Sequence, residues 1–299
     1  MPFAMNARLS SFFAALAVQL TAVAAVVELS TGAASCCVDL DGARILSYRA
    51  NGVEVLLNDD PPQTNAIDWA HGGIPICWPR FGVDATGKIH GTAWRRTFAV
   101  SRRLVEPSRS ELVLGLSEGP AKLEYFIVLT DCLSLEMVTT NTGTNEFMCS
   151  YGFHPYLRVA ERDRTTVDGI DALAFEDDPS RDSPERGVWR GMLALTSSID
   201  RIFRMPDAGS HGVFAIHDRA GGRIAYIECL GANHVNVWNP GSEKNCPGVV
   251  PGDEWRRFAC VEPILVGGVD GSPLPIPPGK RRSLKMTIRS VKCEQDAAR

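Results

Sequence analysis

The stretch "SELVLGLSEGPAKLEYFIVLTDCLSLEMVTTNTG", residues 110–143, holds three short runs rich in β-branched, aromatic and leucine residues, separated by Gly, Pro and Asp. Apolar and polar positions alternate within them, which is the period of a half-buried strand. The same rhythm continues on both sides. It recurs in "VVELSTGAASCCVDL" (26–40), "ARILSYR" (43–49), "VEVLL" (53–57), "RTFAVSRRLVE" (96–106), "RIAYIECL" (223–230) and "SLKMTIRSV" (283–291). No long amphipathic helical pattern competes after residue 25, and no internal repeat or long linker divides the chain. The Pro-rich "GSPLPIPPGKRR" (271–282) reads as a surface loop before the last strand. The expected fold is all-β: one large antiparallel β-sandwich over residues 26–299, preceded by an N-terminal extension at 1–25.

The chain has 299 residues, enough for one large β domain, and a formal net charge of −4. That balance gives no reason to expect a nucleic-acid or anionic-membrane partner. Nine cysteines occur, with no Cys-x-x-Cys pair. Several (Cys77, Cys132, Cys149, Cys229 and Cys260) lie in apolar runs, which suits reduced thiols and a cytoplasmic location better than a disulfide framework or a zinc site. Residues 9–27, "LSSFFAALAVQLTAVAAVV", are apolar but diluted by Ser10, Ser11, Gln19 and Thr21. Leu9, Phe12, Phe13, Leu16 and Leu20 follow helical spacing, so a short packed helix is expected. A signal peptide ending near Ala22-Val23-Ala24 is the alternative.

Four segments break the strand rhythm. "HGGIPICWPRFG" (71–82) cannot be a continuous strand, because Pro75 and Pro79 remove ladder donors. "HGTAWRR" (90–96) places His90 beside a glycine and close to a basic pair. "SYGFHPYLRVAERDR" (150–164) sets His154 among aromatic residues directly before Pro155, which restricts the backbone at His154 to extended geometry. "RRFACVEPILVGG" (256–268) buries Glu262 in an apolar run, which is costly unless the carboxylate is paired or functional.

The sequence lacks His-Glu-x-x-His spacing, a Gly-x-Ser-x-Gly elbow, a phosphate-cradling Gly-rich loop and a dinucleotide fingerprint. The spacing of the histidines gives no support to a metal site but does not by itself rule one out. Histidines plus one carboxylate remain, which is the minimum equipment for two-way proton transfer.

Taken in order, "GGIPICWPRFG", "HGTA", "FHPYLRV", "SIDRIF", "VNVWNPG" and "FACVEP" resemble the hexose-6-phosphate mutarotases, the glucose-6-phosphate 1-epimerases of the galactose-mutarotase-like superfamily. The similarity spans roughly residues 26–291. It implies a large antiparallel β-sandwich and an isomerase of carbohydrate metabolism that needs no cofactor. The partner would be a small sugar or sugar phosphate, bound by a monomer. It also implies that His154 is the general acid and Glu262 the general base, with His90 holding the ring oxygen and Asp200 the sugar hydroxyls. The acid and base would stand on opposite sides of the sugar ring.

Two departures bear on phosphate. His71 and Trp94 stand where the family carries arginine, so Arg80 and Arg95 become the expected replacements, with Lys88, Arg96 and Arg158 nearby. Trp78, Phe81 and Trp238 are candidates to stack on the sugar face. His211, His217 and His234 read as loop or surface residues. An epimerase of an unphosphorylated aldose and a non-catalytic sugar-binding protein are the alternatives. The pairing of His154 with Glu262 argues against the second, since a binding module has no need of both.

Overall fold

The computed structural model describes residues 26–58, 71–178, 183–206, 211–241, 250 and 252–293. The helix or signal peptide expected over residues 1–25 lies outside them. Among the described residues, two antiparallel sheets of nine and eight strands carry the fold, with a four-stranded and a two-stranded sheet beside them. The helical elements described are short 3₁₀ turns. The alternating runs that open the sequence reading become neighbouring strands of the nine-stranded sheet: Ser110–Glu118, Ala121–Leu129 and Leu133–Asn141. Along Ala121–Leu129 every second residue is buried, and Leu123, Tyr125 and Ile127 join the main core. The eight-stranded sheet supplies the facing side of that core with Tyr151, Phe153, Val235, Val237, Ala259 and Val261. Tyr125 and Phe153 meet between the sheets with ring centroids 6.2 Å apart.

Two loop expectations are corrected. Within the Pro-rich 271–282 segment, Leu274–Ile276 pairs with Phe147–Cys149 as a two-stranded sheet. Pro275 is tolerated because a two-stranded ribbon leaves one side of each strand unladdered. His211, His217 and His234, expected in loops or at the surface, all lie on strands, and only His234 departs from both alternatives. His211 is exposed and His217 half-buried on the nine-stranded sheet, whereas His234 is buried on the eight-stranded one.

Side-chain alternation decides which residues leave the core. Phe153, Val237, Val261 and Phe203 point into the main core. Their even-numbered neighbours on the same strands therefore project from the opposite face of the eight-stranded sheet. That face is covered as well, since all eight residues of Phe258–Leu265 are buried. The irregular 71–96 region contributes to the cover: Phe81 packs with Ile202 and Ile264, and Trp94 and Ile89 pack against that cluster.

Candidate active site

Register brings the expected acid and base together. Gly152 pairs with Ile264 and Tyr156 with Cys260, both in one antiparallel ladder. Counting inward from either pair puts His154 directly opposite Glu262, so both side chains emerge on one face. The ladder is interrupted there because Pro155 has no N–H to donate. His154 holds its place on the other side, donating its own N–H to the Pro75 carbonyl at 3.1 Å. His154 Nε2 lies 3.5 Å from Glu262 Oε1, and both side chains are buried.

The ring of His154 is clamped by aromatics. Tyr156 stacks on it at 4.8 Å, and Trp238 meets it edge-on at 5.5 Å. His90 stands edge-on to the same ring, also at 5.5 Å. The Gly82 N–H donates to His90 Nδ1 at 3.2 Å, which places the proton of the neutral ring on Nε2. Burial, with His154 adding to it, holds the His90 pKa well below the ordinary imidazole value. His90 is therefore a neutral N–H donor.

Asn236 is the residue that sequence reasoning missed. It pairs directly with Glu262 across the next ladder, and its Nδ2 donates to Asp200 Oδ1 at 3.2 Å. A buried amide in the alternating run "VNVWN" was the available signal. It became informative only once the pairing partner was known. Asp200 reaches this face from Ile199–Arg204 and stays half-buried.

The other expected site residues divide. His71 is buried edge-on against Tyr156 at 5.0 Å, with its Nδ1 3.5 Å from Glu254 Oε2. Trp78 is a correction: it is fully buried in the main core and donates Nε1–H to Thr139 Oγ1 at 2.9 Å, so it presents no face to a sugar. Phe81 is buried in the apolar cluster, while Trp238 remains half-buried beside His154. Arg80 Nη2 donates to the Val83 carbonyl at 3.3 Å, which ties the arginine to its own loop. Arg95 closes the 3₁₀ turn Ala93–Arg95 and lies exposed, its guanidinium 4.2 Å above the Trp94 ring. His234, expected in a loop or at the surface, projects on the same face as Asn236 and holds its Nδ1 3.1 Å from Asn233 Oδ1.

Burial governs the charges at the centre. It raises the Glu262 pKa well above 4.5, Asp200 adds to the rise, and contact with Asn236 opposes it. Burial pushes His154 down to about 3, while a contact with its own main chain opposes the fall. Both groups thus resist charge, and the pair holds one proton over a wide pH range. A second proton arrives only as pH falls towards about 3, and the last leaves only well above 4.5. We expect kcat/KM to hold as pH falls through ~6.5, the ordinary imidazole value, declining on the acid side only as pH nears about 3, and on the alkaline side as Glu262 loses its proton well above 4.5. Activity lost on acidification with a midpoint near pH ~6.5 would mean that His154 titrates as an ordinary imidazole and that the pair does not hold a single proton.

A 3.5 Å separation also corrects the expected arrangement around the substrate, because no sugar ring fits between the two groups. They meet a ligand from one side. That geometry suits two atoms bonded to the same carbon, as the C1 hydroxyl and the ring oxygen of an aldose are.

The family model for aldose 1-epimerases matches residues 25–289. The chain belongs to the aldose 1-epimerase family. It is an isomerase of the epimerase class with a small sugar as substrate. A Salmonella typhimurium protein named "Putative glucose-6-phosphate 1-epimerase" is 28% identical over 244 residues, covering 75% of this chain and 78% of the relative. A protein of the same name from Cenchrus ciliaris is 24% identical over 283 residues, covering 87% and 83%. Among solved structures, a Salmonella typhimurium "putative mutarotase" superposes with a TM-score of 0.76 at 22% identity, covering 89% of this chain and 90% of that one. The expected sandwich fold is thereby shown. No helix among the described residues is long and apolar enough to cross a membrane.

Proposed function

We propose that this epimerase interconverts the α and β anomers of a hexose 6-phosphate, with His154 and Glu262 as the proton-transfer pair. The observation that carries the chemistry is the 3.5 Å juxtaposition of two buried, oppositely titrating groups. Hydroxyl donors of a bound sugar favour the carboxylate form of Glu262. The proton it gives up is taken by His154. Glu262 then removes the C1 hydroxyl proton while His154 delivers one to the ring oxygen, breaking the C1–O5 bond. The open aldehyde turns about C1–C2, and the reverse transfers close the ring on the other face. His90, a neutral donor, supports the charge developing on the ring oxygen. Asp200, held by Asn236, accepts hydrogen bonds from sugar hydroxyls. The chain works as a monomer in the cytoplasm.

The phosphorylated substrate rests on the names of the relatives and on Arg95. Trp94 packs against the apolar cluster that includes Ile202 and Ile264, residues that share the face of Asn236 and Glu262. Arg95, stacked on Trp94, is the exposed basic group that this reading assigns to the phosphate. Arg95→Ala should lower kcat/KM for glucose 6-phosphate roughly ten- to a hundredfold and spare free glucose, the loss of one charge-assisted contact. Arg80→Ala should reduce both substrates equally, since its guanidinium holds the Val83 carbonyl.

One observation favours an unphosphorylated aldose instead: Glu254 beside His71 sets a carboxylate near a position that would otherwise attract a dianion. Mutarotation of glucose, galactose and glucose 6-phosphate, measured side by side, decides between the readings. Equal turnover of glucose and its 6-phosphate, with no selective loss in Arg95→Ala, would overturn the phosphate assignment.

A further inference from the structure

Cys260 occupies a place that the acid–base chemistry does not use. It lies two residues before Glu262 on the same strand and pairs with Tyr156 on one side and Trp238 on the other. Strand alternation therefore turns its thiol to the face that carries His154 and Glu262. Donor atoms of His154, Cys260 and Glu262 all lie within 4.8 Å of one another, and all three residues are buried. Neither carboxylate oxygen of Glu262 has a hydrogen-bond partner, although the side chain is only 1% exposed. Here a nitrogen, a sulfur and an underused oxygen converge on one point.

We propose that His154, Cys260 and Glu262 form a built-in site for Zn2+. The set matches the preferences of that ion: imidazole nitrogen, thiolate sulfur and carboxylate oxygen, three protein ligands with a fourth tetrahedral position left for water or a sugar hydroxyl. Ligands about 2.0–2.1 Å from a tetrahedral zinc are about 3.3–3.4 Å apart, close to the 3.5 Å between His154 Nε2 and Glu262 Oε1. A modest approach of the Cys260 sulfur completes the set. Binding displaces the thiol proton, and any proton on the carboxyl, to solvent. Sequence spacing could not reveal the set, because His154 comes from a distant strand.

The consequence for catalysis rests on the proton-transfer reading above. Zn2+ at this point engages both members of the pair, so it inhibits anomerisation, and a chelator preserves or restores turnover.

The site itself is tested without activity. Full-length protein is titrated with Co2+ as a spectroscopic stand-in for Zn2+, and Zn2+ affinity is measured by competition with a chromophoric chelator. Wild type should show a thiolate-to-cobalt charge-transfer band and tetrahedral d–d absorption. Cys260→Ser should lose the charge-transfer band and weaken Zn2+ binding on the order of a hundredfold, the soft ligand being gone. Cys293→Ser, which removes an exposed thiol, should leave both unchanged. A charge-transfer band that persists in Cys260→Ser, or is lost in Cys293→Ser, overturns the assignment. Should Cys260→Ser fold poorly, His154→Ala provides the second test. It must lose the tetrahedral spectrum, and an unaltered spectrum rejects the site. Separately, a Cys260-dependent band in a protein whose turnover ignores Zn2+ would leave the metal site standing and remove His154 and Glu262 from proton transfer.

Discussion

His154→Ala and Glu262→Gln should each lower kcat by about a hundred- to ten-thousandfold, the usual worth of a positioned acid or base. The double variant should be little worse than either single one. The two groups share one proton at 3.5 Å, so removing either partner ends the transfer in both directions. The substitutions should differ in stability. Glu262 is a buried carboxyl whose pKa is raised, so above 4.5 the folded chain either keeps a proton that the unfolded chain gives up or holds an unfavourable charge. Stability from this group is fully present below 4.5 and is lost as pH rises through the folded pKa. Glutamine keeps the shape without the charge. Glu262→Gln should therefore be more stable than wild type at pH 8, by on the order of 1 kcal/mol, a common gain when a functional group under strain is neutralised. Denaturant unfolding at pH 5 and pH 8 checks this: the gain must grow with pH. Turnover by Glu262→Gln near the wild-type level would remove the residue from the reaction altogether.

Gly91→Ala should be strongly damaging to the site region. Gly91 has φ +72°, and an added Cβ would lie 2.4 Å from the Trp78 carbonyl oxygen and 2.6 Å from its carbon. Those atoms are backbone and are fixed from the other side, because the N–H groups of Thr92 and Ala93 both donate to the same carbonyl, at 2.9 and 3.0 Å. The loop must shift, and His90, itself at φ +56°, shifts with it. A clash of this kind plus an unfavourable backbone region costs roughly 3 kcal/mol or more. In a domain of this size that corresponds to a fall in Tm of about 6–12 °C, accompanied by loss of most activity as His90 leaves the His154 ring. Gly87→Ala is the control. Its φ is +80°, but nothing lies within 4 Å of the added atom, so only the backbone preference is lost, about 1 kcal/mol. Similar losses in the two variants would mean that the close approach to Trp78 is not what constrains Gly91.

Much of the fold was legible because strand formation here follows a local, period-two pattern. Ser110–Glu118, Ala121–Leu129 and Leu133–Asn141 coincide with runs that carry that alternation over much of their length, and the turns between them carry Gly, Pro or Asp. The identities of His154 and Glu262 were legible for a related reason, since a titratable group inside an apolar run stands out against its neighbours. Trp78 and the Pro-rich 271–282 segment were misread because composition does not say which surface will cover a residue. Trp78 found a hydroxyl in the core, and Leu274–Ile276 found an open strand edge.

Whether His154 faces Glu262 depended on the pairing register, since a slip of one residue would have sent one of them to the opposite face of the sheet. The same register set Asn236 opposite Glu262 and Cys260 on the same face two residues away, and only that pairing gave either a place at the site. It also excluded a sugar ring between acid and base. The alternation of each strand is written in its own residues. The alignment between strands is a property of many long-range contacts at once, and only the assembled sheet decides it.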